Sequence, residues 1–230
     1  MADARPIAVV TGASRGIGRA TALRLAAHYD VVAVARSRDE LDSLATEIAA
    51  RGGRCEPRVA DLTDPHAVSA ALDSVDATVL VNNAGIGYLK PFLELTREEW
   101  RRTVDLNFNA LFDVTRAVLP RMVARKSGHI VVIGSISGRS AFVGGSCYAA
   151  TKHAVMAFSE CLMLEVRDAG VKVSVVSPGS VATSFSSRGD SSWALVPDDV
   201  AAAVAQVLDT PPTVLIHRLE VRTLTPPKKH

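Results

Sequence analysis

Thr11-Gly12-Ala13-Ser14-Arg15-Gly16-Ile17-Gly18 follows the apolar run Ile7 to Val10 and leads directly into a helical pattern, Arg19 to His28. A strand, a glycine-rich turn and a helix in that order form the first half of a strand–helix–strand unit. Outward from it the same alternation continues. Val31 to Ala35 is the next short run, and Ser37 with Glu40 reads as a capping box opening a helix to about Arg51. Val59 reads as a brief strand, and Asp64 before Pro65 pairs an N-cap with proline at the first helical position. Ala77 to Val81 is followed by a loop from Asn82 to Leu95. Thr96 and Glu99 form a second capping box, opening a long helix towards Arg125. Strands at Ile130–Ile133 and Val171–Val176 flank a helix from about Cys147 to Asp168. A weaker helix, about Pro197 to Leu208, precedes a last strand near Thr213–Ile216. Continuous β-branched runs alternating with helices predict a parallel sheet covered on both faces. The expected fold class is α/β: a single Rossmann-type doubly wound sheet of about seven strands. No linker or repeat divides residues 1–230, which are expected to form one domain.

Composition excludes several functions. Of 230 residues, 48% are hydrophobic and 22% charged, enough for a full core. The net charge is only +2, and like charges form no block beyond the tail Lys228, Lys229 and His230, which argues against a nucleic-acid partner. Apolar stretches end well before the roughly 18 residues a membrane span requires. The start from Met1 through Asp3 and Arg5 lacks a signal-peptide pattern. Cys55, Cys147 and Cys161 are odd in number and without CxxC spacing, so neither disulfides nor a zinc site is expected. None of the six histidines makes an i, i+4 pair with another, and no metal is expected. A cytoplasmic location is the expectation.

The glycine turn has a chemical reading. Glycines let backbone approach a pyrophosphate, and the following helix offers free N–H groups with a positive dipole end. Its spacing is GxxxGxG rather than the commoner GxGxxG. Sites that prefer NAD place an acid at the end of the second strand. Here Val34-Ala35-Arg36-Ser37-Arg38 has no acid before Asp39. Arg36 is placed to clamp a 2′-phosphate, with Arg15 on the other side, so NADP(H) is expected over NAD(H).

Tyr148 and Lys152 stand four apart at the start of a helix and share a face. A free tyrosine, with a pKa near ~10, is a poor base at neutral pH. An ammonium ~4 Å away at an effective dielectric of ~20 favours the phenolate by about 4 kcal/mol, an upper guide that burial opposes. Such a pair can exchange a proton with an alcohol or carbonyl oxygen. Ser135, ending a predicted strand, belongs at the sheet's carboxyl edge, where ligands of open α/β sheets bind.

These features together resemble the classical short-chain dehydrogenase/reductase family over nearly the whole chain. TGASRGIG (Gly12, Ser14, Arg15, Gly16, Ile17, Gly18) is similar to its cofactor loop, and Asp61-Leu62 resembles its adenine-contacting pair. Asn82-Asn83-Ala84-Gly85 matches its NNAG turn. Asn107 matches its long-helix asparagine. Ser135 stands 13 residues before Tyr148 of Tyr148-Ala149-Ala150-Thr151-Lys152, as in the family. Pro178-Gly179, with Val181 and Thr183 behind it, resembles the segment that orients the nicotinamide. The resemblance implies hydride transfer from NADPH to a carbonyl carbon, with Tyr148 donating the proton. It implies that Ser135 hydrogen-bonds the oxygen, Lys152 holds the ribose and lowers the Tyr148 pKa, and Asn107 supports a water chain.

Two other readings stay open: a non-catalytic NADP(H)-binding regulator, and a reductase of a carrier-linked acyl group docking on Arg121, Arg125 and Lys126. The substrate segment 184–196 is short; Phe185 and Trp193 either close a lid or anchor the loop. Tyr88, Phe142 and Cys147 are wall residues or ordinary packing. Arg97, Arg101 and Arg102 read as a solvated helix face, with Arg102 paired to Glu98. The helix from Cys147 is apolar around most of its circumference, which predicts a homodimer or homotetramer.

Overall fold

The computed structural model describes residues 5–183 and 192–225. Among the described residues there are seven strands: β1 (Ile7–Thr11), β2 (Asp30–Ala35), β3 (Arg54–Val59), β4 (Val79–Asn82), β5 (Gly128–Ile133), β6 (Val171–Pro178) and β7 (Arg218–Val221). They form one sheet in the order β3-β2-β1-β4-β5-β6-β7, and every neighbouring pair is parallel. The helices are α1 (Gly16–Leu25), α2 (Arg38–Ala50), α3 (Pro65–Leu72), α4 (Arg97–Val104), α5 (Ala110–Arg125), α6 (Ser146–Val166) and α7 (Pro197–Leu208).

The period-2 alternation of the strands divides the core in two. Val9, Leu80, Ile130 and Val132 face one layer with α3, α5 and α6. Ala8, Val10, Val79, Val81 and Val131 face the other, with α1, α2 and α7. Both faces of the central strands are therefore covered, which explains their unbroken apolar character. Each buried Val, Leu or Ile side chain stabilises the fold by about 1.5–3 kcal/mol relative to exposure. From β1 the chain winds outward through β2 and β3, then returns to place β4 on the other side of β1. This reversal opens a crevice at the carboxyl ends of β1 and β4. Among the described residues, no helix is long and apolar enough to cross a membrane.

Four local expectations need correction. The last strand is Arg218–Val221, not Thr213–Ile216. Pro211 turns the chain through a bond from Val214 N–H to its carbonyl, and pairing with β6 begins only where Val175 N–H reaches His217 O. The true signal was the alternation Arg218-Leu219-Glu220-Val221, half in and half out. Strand β3 runs from Arg54 to Val59 as a polar edge, too hydrophilic to read as a buried strand. Ser37 occupies the N-cap of α2 without a side-chain cap bond, whereas the Thr96–Glu99 box forms in full. The long helix towards Arg125 is interrupted by a π-helical segment, Asp105–Asn109.

Candidate active site

The glycine loop is built against the turn that follows β4. Gly12 has φ +64°, and a Cβ there would lie 2.9 Å from Asn83 Nδ2. A Cβ on Gly18 would lie 2.2 Å from Gly12 O and 2.5 Å from Asn83 Nδ2. Asn83 Nδ2 donates to Thr11 O (2.9 Å) and Gly12 O (3.3 Å), while Asn83 and Ala84 N–H both donate to Thr11 Oγ1. The two loops at the crevice are thus one hydrogen-bonded unit. Arg15 is the N-cap of α1 but supplies no side-chain cap, and the first turn holds no acid. Among the described residues no side chain caps the first-turn N–H groups, as a phosphate site requires. Ser14, Gly16 and Ile17 complete the turn, and Thr183 Cγ2 lies 3.4 Å from where a Gly16 Cβ would stand. That contact brings the Pro178–Gly179 segment over the loop. Gly179 N–H donates to Val221 O, and Val181 bridges to Leu195.

At the carboxyl ends of β2 and β3, Arg36 Nη1 is 3.9 Å from Asp61 Oδ2. Asp61 Oδ1 accepts from Thr63 N–H and Thr63 Oγ1, and these bonds, with Arg36 and Arg102 nearby, hold the carboxyl below its usual range. Leu62 turns inward and is buried. Leu62, Ala84, Thr11, Asn107 and Lys152 meet around a small cavity of about 20 Å³.

Ser135 follows β5 and is buried, its Oγ accepting from Ser137 N–H at 3.1 Å. Tyr148 and Lys152, one turn apart on α6, face it. Burial pushes the Tyr148 phenol up, and its side-chain hydrogen bond with Ser135 pulls it back in part. Lys152 Nζ lies 5.9 Å from the Tyr148 ring centroid and donates to Ile133 O at 2.8 Å. Burial lowers its pKa from 10.5 to about 8. The Tyr148 pKa stands raised rather than lowered, because desolvation is the largest influence on both groups.

Asn107 sits within the π-helical segment, which widens the helix by one residue per turn at that point. Its Oδ1 accepts from Ile86 N–H, and its Nδ2 donates to Ile86 O and to Thr151 Oγ1. Thr151 Oγ1 in turn donates to Tyr148 O at 2.8 Å. Thr151 was not singled out in the sequence, although a hydroxyl within an otherwise alanine-filled YxxxK was the available signal.

Other candidates move away from the crevice. Cys147 packs on Trp100 O and is a packing residue rather than a wall. Arg125 pairs with Asp76 and donates to Ala77 O, and Arg121 donates to Asp73 O, so both are engaged in structural contacts. Arg102 makes no ion pair with Glu98; instead Glu99 is taken by Lys90 at 2.7 Å. Trp193 is half-buried, its carbonyl accepting from Thr223 Oγ1. Phe185 and the tail Lys228–His230 lie outside the described residues.

The family model of short chain dehydrogenases matches residues 6–192. Oxidoreductase UcpA of Escherichia coli is 37% identical over 182 residues, spanning 76% of this chain and 69% of that protein. The 3-oxoacyl-(acyl-carrier-protein) reductase FabG of Escherichia coli is 35% identical over 207 residues, spanning 87% and 81%. The closed form of serine dehydrogenase complexed with NADP+ superposes with a TM-score of 0.89 at 32% identity over 97% of each chain. A glycine loop locked to the turn after β4, a buried Ser135 and Lys152 with the half-buried Tyr148 beside it, and these matches lead to one assignment. The chain belongs to the short-chain dehydrogenase family of oxidoreductases.

Proposed function

We propose that this chain is an NADP(H)-dependent carbonyl reductase, or in reverse an alcohol dehydrogenase. The observation that carries the reading is the hydrogen bond between Ser135 and Tyr148, with the Lys152 ammonium 5.9 Å from the phenol ring. The bound dinucleotide supplies or accepts the hydride. The rest of the chemistry belongs to the chain's own residues. Tyr148, kept protonated by burial, donates its phenolic proton to the carbonyl oxygen. Ser135 donates a hydrogen bond to that oxygen as negative charge develops on it. Lys152, held buried near the phenol, stabilises the phenolate left after transfer. Asn107, saturated by Ile86 and Thr151, fixes the π-helical segment against α6.

The cofactor site draws on Gly12, Ser14, Arg15, Gly16, Ile17 and Gly18 for the pyrophosphate. Arg36 serves the 2′-phosphate, Asp61 and Leu62 the adenine, and Asn83, Ala84 and Gly85 the crevice floor. Tyr148 and Lys152 serve the ribose, and Pro178, Gly179, Val181 and Thr183 the nicotinamide. The uncapped first turn of α1 and the absence of space for a Cβ on Gly18 support this fit. A regulator would have no use for a proton donor, so the enzyme reading is preferred. Carrier-linked substrates gain support from the similarity to a carrier-protein reductase, yet Arg121 and Arg125 are already engaged by Asp73 and Asp76.

We further infer a homodimer or homotetramer of single-domain subunits. Ala150, His153, Ala157, Cys161 and Leu164 form an exposed stripe at helical spacing along α6, with Leu164 52% exposed. A cytoplasmic setting fits three free cysteines. Cofactor oxidation across aldehydes, ketones, diketones and quinones, with NADPH and NADH in parallel, tests the activity. Turnover that vanishes in Tyr148→Phe is the expected result. No turnover despite tight NADPH binding would shift the reading to the regulator. Sedimentation at micromolar concentration should show a dimer or larger; a monomer would refute the assembly.

A further inference from the structure

We propose that Arg102, on α4, is a second ligand for the cofactor's 2′-phosphate, closing a two-arginine clamp with Arg36 across an open groove. This rests on the NADP(H) reading above and adds a residue that the sequence had assigned to a solvated face.

The groove has a volume of about 650 Å³ and lies beyond the carboxyl ends of β2 and β3. Four arginines, Arg36, Arg97, Arg101 and Arg102, line it against three carboxylates, Asp61 among them. It therefore carries an excess of one positive charge. The helix-face pairing that would have consumed Arg102 does not form, and Arg97 and Arg101 likewise have no ion pair among the described residues. Arg36 and Arg102 share the single Asp61 carboxylate, and the remaining like charge in the groove is relieved by an anion between the guanidinium groups. Arg36 comes from the end of β2 and Arg102 from α4, so the two cations approach Asp61 from separate elements. Asp61 is anchored by Thr63 through two hydrogen bonds to Oδ1, so one carboxylate serves two arginines. A phosphate monoester dianion offers what this pair lacks, several acceptor oxygens for planar guanidinium forks. A 2′-hydroxyl offers one neutral oxygen.

The test is direct titration, by calorimetry or fluorescence, of the whole protein with NADPH, NADH, adenosine 2′,5′-bisphosphate and adenosine 5′-monophosphate. The wild type is compared with Arg36→Ala, Arg102→Ala and Arg102→Lys. Arg102→Ala should weaken NADPH and the bisphosphate about tenfold, equivalent to about 1.4 kcal/mol, and leave NADH and the monophosphate unchanged. Arg102→Lys should recover part of the loss. Arg102 is exposed, so an unchanged melting temperature is expected to accompany these shifts. If Arg102→Ala leaves NADPH unchanged, or weakens NADPH and NADH equally, the clamp is overturned. Should Arg36→Ala alone then discriminate the two cofactors, the NADP(H) reading survives without it. A wild type that binds NADH as tightly as NADPH overturns both.

Discussion

The two ends of the crevice hold positive charge under opposite conditions. At the proposed catalytic end, Lys152 is 7% exposed, bonded to Ile133 O, and its pKa falls to about 8 because burial disfavours the ammonium. At the other end, the Arg36 and Asp61 side chains are 58% and 47% exposed and stand 3.9 Å apart, a solvated pair of small energetic value. A buried charge is tuned by desolvation and answers to pH. An exposed one is screened and answers to salt. On the function proposed above, one crevice carries a proton-transfer site and a polyanion-binding site without either imposing its chemistry on the other.

The sharpest way to break this contrast is at the phenol. Tyr148→Phe removes the proton donor while keeping the ring, and kcat should fall about a thousandfold with NADPH affinity within twofold of wild type. A mutant that retains a tenth of the activity would place the proton donor elsewhere. Gly18→Ala tests the join between the two ends. The added Cβ would stand 2.2 Å from Gly12 O, which is backbone and cannot move alone. A stability loss of about 3 kcal/mol is expected in denaturant unfolding, with weakened cofactor binding.

The pH response sharpens the contrast next. Lys152 has a folded pKa of about 8 against 10.5 when free. Below pH 8 both states are protonated and the full burial penalty is present. Above it the folded state loses its proton first, so stability relative to Lys152→Met should rise. Between pH 8 and 10 the gain is on the order of 2 kcal/mol by chemical denaturation. Above pH 10 the raised Tyr148 pKa works the other way, because the unfolded chain ionises first. A flat difference between wild type and mutant over pH 8–10 would mean that Lys152 is not desolvated. The smallest effect belongs to the exposed end. Arg36→Asp should weaken NADPH about tenfold while sparing NADH, and the NADPH preference of the wild type should shrink as salt is added. Equal salt dependence for the two cofactors would count against a 2′-phosphate site at Arg36.

Legibility followed the range of the interactions. The strand–turn–helix order and the central strands could be read because glycine spacing, caps and β-branched runs act over a few residues. Asp64 at the α3 N-cap and the Thr96–Glu99 box both form as their local chemistry requires. The polar edge strands β3 and β7 could not be read as easily, since only pairing with β2 and β6 makes them strands. Within the site, residue types were legible and partners were not. The YxxxK spacing placed Tyr148 and Lys152 on one face, but nothing local announced that burial would dominate their titration.

By itself, the sequence determined the alternation of strands and helices, the parallel sheet and the residue types gathered at its carboxyl edge, because short-range preferences and side-chain period decide these. Tertiary structure alone decided that Asn107 lies in a π-helical segment locked to Ile86 and Thr151, 21 and 44 residues away. It alone turned Arg102 from Glu98 towards the groove beside Arg36 and Asp61. The physical reason is common to both. Hydrogen bonds and charges are satisfied by whichever partner the packed chain brings near, and chain proximity in space is set by the whole sheet.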